Sequence, residues 1–300
     1  MYRTGNEEIE AVARVLRSGD LFKINGGAQE IKHFEDELCE KFGVTRAICM
    51  TSGKAALIGM GVGPGDEVIV PAYTYIATAT GAIPVIADCD ETLTIDPEDI
   101  ERKIFSHTKA IIPVHIQGFP SAMDRIMEIA KKHKLLVLED ACQSDGGSFG
   151  GKRLGTIGDV WAYSFNFFKI ITAGEGGALV TDNREIYERA LIYHDSSAIA
   201  YFGNQLESIE SAQFCGTEFR VSEITGAILR EQLKRLDGIL SDLEKNYFYV
   251  KERLSDKYKF APSHDEKGDC HTTLAFKQKA DAAGYGATRP IDTGKHVYTN

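Results

Sequence analysis

The sequence has no surplus of positive charge, no long apolar run and no paired cysteines, and each absence removes a class of function. Thirty-four Lys and Arg face 44 Asp and Glu, giving a net charge of −10 and a pI near 5.4. Such a surface repels phosphate backbones and anionic lipids, which argues against nucleic-acid and membrane partners. The longest apolar runs, such as the one ending at Leu138, fall far short of the roughly 20 residues needed to span a bilayer. The opening stretch Met1-Tyr2-Arg3-Thr4-Gly5-Asn6-Glu7-Glu8 lacks the apolar centre of a signal peptide. Cys39, Cys49, Cys89, Cys142, Cys215 and Cys270 are scattered without a C-x-x-C pair, and most lie in apolar stretches. They read as reduced core residues of a cytoplasmic protein.

Common catalytic signatures are missing too. There is no H-E-x-x-H and no clustered Cys/His set, so no metal is expected. Ser148 lacks the G-x-S-x-G setting of a nucleophile elbow. Ser52-Gly53-Lys54 lacks the upstream glycine and downstream Ser/Thr of a phosphate-binding P-loop. The glycines at 59, 61, 63 and 65 close a helix and precede a strand, the reverse of a dinucleotide fingerprint, and read as a turn.

What is present is a steady alternation of strand and helix in a chain of 300 residues, 43% apolar and 26% charged. An opening helix carries Ile9, Val12, Val15 and Leu16 on one face. A second carries Ile31, Phe34, Leu38 and Phe42. Strands are expected at about 45–50, 67–71, 83–88, 109–115 and 135–139, separated by helices at about 54–60, 75–81, 97–104 and 121–133. Asp96-Pro97 is a good helix start. The strands are apolar on both faces, which predicts a mostly parallel sheet between helix layers. Further strands fit 159–165 and 177–181, a helix fits 184–193, and 196–216 reads as a surface loop. A helix at 220–240 closes the large domain (1–240, with an N-terminal helical arm). An aromatic helix around Tyr247, Phe248 and Tyr249 opens a small α+β domain (241–300), in which Thr272–Phe276 reads as a strand.

The informative stretch runs from Glu139 to Gly177. Asp140 ends a buried-type strand, where carboxylates of parallel sheets face the ligand crevice. Lys169 is the one cation in Ser164-Phe165-Asn166-Phe167-Phe168-Lys169-Ile170-Ile171-Thr172-Ala173-Gly174-Glu175-Gly176-Gly177. A desolvated lysine loses its proton more readily and becomes a nucleophile.

Together, Glu139-Asp140-Ala141-Cys142-Gln143, the Ser-Phe-x-x-x-Lys of 164–169, the Gly-Glu-Gly-Gly that follows, Pro71–Thr78 and Thr51-Ser52-Gly53 resemble the DegT/StrS-type sugar aminotransferases. These belong to the fold-type-I pyridoxal-phosphate enzymes, and the likeness runs from about residue 5 to 240. It implies a cofactor-binding large domain, pyridoxal 5'-phosphate as cofactor and a cytoplasmic homodimer with a shared site. It also implies amino transfer from L-glutamate or glutamine to a keto-sugar that is nucleotide-linked or a sugar acid. By the same resemblance Lys169 holds the cofactor as a Schiff base and moves protons. Asp140 pairs with the pyridine nitrogen, Gln143 bonds the 3′-oxygen and Tyr75 stacks on the ring. Ser164 and the amides of Gly53 and Lys54 receive the phosphate, and Ser52 belongs to the same cofactor-binding stretch.

Three features depart from the pattern. Lys54 stands where relatives have threonine, and Glu218, in Gly216-Thr217-Glu218-Phe219-Arg220, where they have an asparagine that reaches the neighbouring subunit's phosphate. The expectation is that Lys54 and Glu218 compensate each other across a dimer interface, the alternative being that both side chains point to solvent. The C-terminal domain is also short for the family. Two alternative activities follow: a lyase on the same fold, with Cys215 as its test residue, or a non-catalytic cofactor-binding regulator. His115 and His194-Asp195 are open between pocket-lining and structural roles.

Overall fold

The computed structural model describes residues 4–23, 27–51, 58–75, 81–195 and 209–277. Its centre is a seven-stranded sheet built from β1 (Arg46–Met50), β2 (Glu67–Pro71), β3 (Ile83–Ala87), β4 (Thr108–Ile111), β5 (Leu136–Asp140), β8 (Val160–Ser164) and β9 (Gly177–Thr181). A small hairpin, β6 (Ser148–Phe149) and β7 (Lys152–Arg153), lies between β5 and β8. The sheet order is β1-β9-β8-β5-β4-β2-β3. Pairings from β8 to β3 are parallel, and β9 runs antiparallel to both its neighbours. The expected strand at 109–115 pairs regularly only to Ile111; beyond it, Val114 forms a single bridge to Asp140.

Successive strand residues point to opposite faces, and both faces are buried. On one face Ala47, Cys49, Trp161, Tyr163, Ala178 and Val180 pack against α2 (Glu30–Phe42) and the later helix α6 (Glu223–Leu254). On that same side Ile69, Ile111 and Val137 meet Met123, Ile126 and Ile129 of α4 (Met123–His133). On the opposite face Ile48, Met50, Val70, Leu138 and Leu179 meet Ile186, Ala190 and Leu191 of α5 (Arg184–His194). Each such aliphatic side chain, fully buried, contributes about 1.5–3 kcal/mol. The short helix α3 (Pro97–Arg102) starts on Asp96, whose carboxylate accepts from the Glu98 N–H at 2.9 Å.

Expectations for two of the helices change. In α1 (Asn6–Ser18) the buried residues are Glu8, Ala11 and Val15, whereas Ile9 and Leu16 are 64% and 56% exposed. A polar residue wins the inward position because Glu8 is satisfied there: its carboxylate accepts from the Gly5 N–H and the Gln232 amide and pairs with Arg235. The second change concerns α6, which is one helix of 32 residues without a break at 240. Tyr247 and Phe248 are therefore on that same helix, and their rings pack on His271 at 4.7 and 5.1 Å. The boundary drawn at 240/241 runs through a continuous helix.

Contact between α2 and α6 is close. Gln29 starts α2 without a side-chain cap, so Glu223 of α6 accepts from the Glu30 and Ile31 N–H groups. The neighbouring Gly226 meets the same backbone, and a Cβ there would lie 2.6 Å from Ile31 N. Only glycine fits. After α6 the chain forms a two-stranded ribbon, β10 (Lys259–Phe260) with β11 (Phe276–Lys277). The strand expected at 272–276 is thus confined to its last residue. Between these strands the segment docks on the large domain: Ser148 N–H donates to Gly268 O at 2.8 Å and Cys270 N–H to Gly118 O at 3.1 Å.

Candidate active site

The topology gathers the singled-out stretches at one sheet edge. β2, β4, β5 and β8 run parallel, so Pro71, Ile111, Asp140 and Ser164 all end on the same side. Because β9 is antiparallel, Gly177 stands opposite both Ser164 and Met50, and the end of β1 joins that edge too. This is the crevice side of an open parallel sheet.

Asp140 is fixed by its backbone, donating to Pro113 O at 2.9 Å, while its carboxylate accepts from the Cys142 N–H at 3.1 Å. Beside it, Glu139 points the other way and is fully buried. It accepts from the N–H groups of Gly155, Ile157 and Gly158 at 2.9, 2.6 and 2.6 Å, and from His115 Nε2 at 3.0 Å. His115 Nδ1 accepts from the Ser121 N–H, so Nε2 carries the ring proton. His115 is thereby assigned a structural place beneath the site.

Lys169 is half-buried on the loop between β8 and β9. Phe165 N–H to Gly176 O and Phe167 N–H to Gly174 O close that loop, at 2.8 and 2.9 Å. Thr172 Oγ1 donates to Phe165 O and accepts from the Gly174 N–H. The flanking Phe167 and Phe168 are 51% and 77% exposed. Burial drives the Cys142 thiol pKa well up, the Asp140 charge adds to the rise and the Lys169 charge opposes it.

Gln143 Oε1 accepts from the Gln117 N–H at 3.0 Å, and Gln117 Nε2 donates to Tyr73 Oη at 2.8 Å. This chain of bonds ties the loops after β2, β4 and β5 together. Gln117 and Tyr73 are members that the sequence alone did not single out. Gln117 has φ +54°, a mark that the structure carries and the residue order does not. Tyr75 lies on the same loop as Tyr73 and is 54% exposed. Ser52, Gly53 and Lys54 lie outside the described residues.

Glu218 is placed within its own chain beside the end of β1, because the Thr51 N–H donates to Phe219 O at 2.7 Å. Its carboxylate is taken by Arg220, which also bonds Asp195 at 2.8 Å and lies over the Phe22 ring at 4.7 Å. Among the described residues, the cation that offsets Glu218 is therefore Arg220. His194 is buried, bonding Leu191 O through Nδ1, and burial pushes its imidazole down to about 4. Cys215 is exposed.

The edge thus offers an amine, a carboxylate, a hydroxyl, a carboxamide and an aromatic face. That donor set suits a small phosphorylated aromatic aldehyde with a basic ring nitrogen. A family model described as the DegT/DnrJ/EryC1/StrS aminotransferase family matches residues 3–284.

The chain belongs to this family.

SpsC of Bacillus subtilis, a spore coat polysaccharide biosynthesis protein, is 36% identical over 274 residues, 86% of this chain and 67% of that protein. GDP-perosamine synthase of Caulobacter vibrioides is 36% identical over 253 residues, 80% of this chain and 66% of that protein. The crystal structure of S. venezuelae DesV in complex with a ketimine intermediate superposes with a TM-score of 0.79 at 34% identity, covering 92% of this chain and 75% of that one. This member of the DegT/DnrJ/EryC1/StrS family spans about two thirds of the length of these two curated relatives. The expected fold, a fold-type-I α/β architecture with a mostly parallel sheet, agrees with these neighbours.

Proposed function

We propose that this chain is a pyridoxal-phosphate-dependent aminotransferase of the cytoplasm. It passes an amino group from L-glutamate or L-glutamine to a keto-sugar that is nucleotide-linked or a sugar acid. The observation that carries the reading is the meeting of Asp140, Ser164 and the Lys169 loop at one edge of the sheet. The name of the perosamine synthase relative supports amino-sugar chemistry, and the ketimine intermediate of the DesV complex supports amino transfer. Pyridoxal phosphate, when bound, supplies an electron-withdrawing ring that accepts the electron pair left at the donor's α-carbon.

The chain's own residues do the rest. Lys169 Nζ anchors the cofactor, then takes and returns the proton at the reacting carbon. Asp140 holds a proton on the ring nitrogen through its carboxylate, which its backbone bonds fix at the end of β5. Gln143 orients the ring oxygen, and the Gln117–Tyr73 chain keeps its amide from turning. Tyr75 covers one ring face. Ser164, with Ser52, Gly53 and Lys54, binds the phosphate. Residues 1–240 carry the cofactor, and the segment from 241 shapes the acceptor pocket. A second copy of the chain covers the exposed Phe167 and Phe168, giving a homodimer in which Glu218 faces the neighbour's phosphate region.

The test is the visible spectrum of the purified protein with pyridoxal phosphate, before and after L-glutamate or L-glutamine, with Lys169→Ala as control. A yellow band that bleaches with either donor, and that the variant does not form, is the expected result. A band indifferent to both donors overturns amino transfer.

A further inference from the structure

The segment that docks after α6 touches the large domain at the very residue that bonds Gln143. Thr272 Oγ1 donates to Gln117 O at 2.6 Å, and Cys270 N–H donates to Gly118 O at 3.1 Å. The approach is close. A Cβ added at Gly118 would lie 2.8 Å from Cys270 Cβ and 3.1 Å from Thr272 Oγ1. Gln117 is thereby engaged by three parts of the chain at once. Its N–H donates to Gln143 Oε1, its Nε2 donates to Tyr73 Oη, and its carbonyl accepts from Thr272.

Both sides of this contact carry a backbone outlier. Gln117 and His271 each have φ +54°, a left-handed conformation that is uncommon for residues of their type. Such a conformation persists only where the surroundings over-determine it. Glycine at 117 would make the turn without strain, but it would supply no amide for Tyr73. His271 is backed by α6, its ring packed on Tyr247 and Phe248 at 4.7 and 5.1 Å. An unbroken set of contacts therefore runs from α6 through His271 and Thr272 to Gln117 and on to Gln143.

The direction of the last bond sets what Gln143 can do. A backbone N–H can meet only the oxygen end of a carboxamide, so the NH2 end of Gln143 is turned away from Gln117 and left to donate. An anionic ring oxygen calls for that end. We propose that Thr272 is a positioning residue: it fixes the Gln117 peptide, and that peptide fixes which end of the Gln143 amide meets the cofactor's ring oxygen. The inference rests on the aminotransferase reading, in which Gln143 bonds that oxygen. It gives the segment beyond α6 a role on the cofactor side of the site, separate from shaping the acceptor pocket.

The test compares wild type with Thr272→Ala, Thr272→Val and Thr272→Ser. In the proteins loaded with pyridoxal phosphate, the visible band is followed against pH. A donor on the ring oxygen draws negative charge away from the neighbouring Lys169 nitrogen and lowers its proton affinity. Loosening Gln143 should therefore raise the midpoint by about half a pH unit in the alanine and valine variants, while serine keeps the wild-type value. Burial pushes the Tyr73 hydroxyl and the Cys270 thiol up, so neither ionises in the neutral range, and Asp269, raised to about 7, is common to all four proteins. In the cofactor-stripped proteins, hydrogen exchange of the peptide covering 115–119 is followed by mass spectrometry. It should be several-fold faster in the alanine and valine variants. Thr272 is exposed, so melting temperatures should barely move. An unmoved midpoint, a midpoint that serine fails to restore, or unchanged exchange overturns the proposal. If wild type forms no band, the aminotransferase reading falls, and the exchange measurement alone decides whether Thr272 governs Gln117.

Discussion

His115 Nε2 and Glu139 Oε2 lie 3.0 Å apart with both side chains fully buried, directly behind the strand end that presents Asp140. Glu139 also gathers three backbone N–H groups from the loop before β8. Replacing it by alanine leaves four donors unanswered in the interior. Glu139→Ala should cost on the order of 3 kcal/mol or more in urea unfolding, with Glu139→Gln milder because one acceptor survives. Pyridoxal-phosphate affinity should fall with it.

The α2–α6 contact has a sharp test. Gly226→Ala forces a methyl group against the Ile31 backbone and pushes Glu223 away from the helix start it caps. A loss of about 1–3 kcal/mol is expected from overpacking alone. Denaturant titration should show it as a lower midpoint with unchanged slope.

Stability should fall as pH rises from about 6.5 to 8. Burial raises Asp145 to about 8 and Asp269 to about 7, so the folded chain holds protons that the unfolded chain has released above the usual carboxylate range. Their stabilising share is complete at acid pH and disappears as pH climbs through those values. His194 acts in the other direction, since its folded value of about 4 makes stability rise with pH only up to the ordinary imidazole range near ~6.5. Above that, the acids act alone. Thermal melts from pH 6.5 to 8 should decline, and Asp145→Asn should flatten most of the decline.

Glu218→Asn should tighten pyridoxal-phosphate binding several-fold, because in the proposed dimer it removes an anion from the neighbour's phosphate region and frees one side of Arg220. Fluorescence titration of cofactor-stripped protein reads this directly. Lys54→Thr should weaken binding in the same assay, and a double variant near wild type would show that the two changes offset.

Much of this architecture is legible from residue order because its strands are apolar on both faces. Glu67–Pro71 and Leu136–Asp140 have few other places to go than a covered parallel sheet. Lys169 and Asp140 stand out in the sequence as polar residues in apolar runs, and the structure puts Asp140 at a strand end and Lys169 on a half-buried loop flanked by the exposed Phe167 and Phe168. α1 misleads because Glu8 is satisfied by partners more than 200 residues away, Gln232 and Arg235, which local periodicity does not register. The continuity of α6 is hidden by Gly238, a residue that weakens a helix but here faces open space. Asp145 lies in the turn after β5, and nothing in the residue order singles it out. Only its burial marks it.

The antiparallel course of β9 has a mechanical meaning. The chain leaves the sheet at Ser164 and re-enters it at Gly177 on the adjoining strand, so both legs of the lysine's perch are clamped into neighbouring rails. Such a perch cannot swing as a lid does. In the proposed reaction Lys169 is then the fixed point, and donor and acceptor meet it in turn at the same place on the sheet edge.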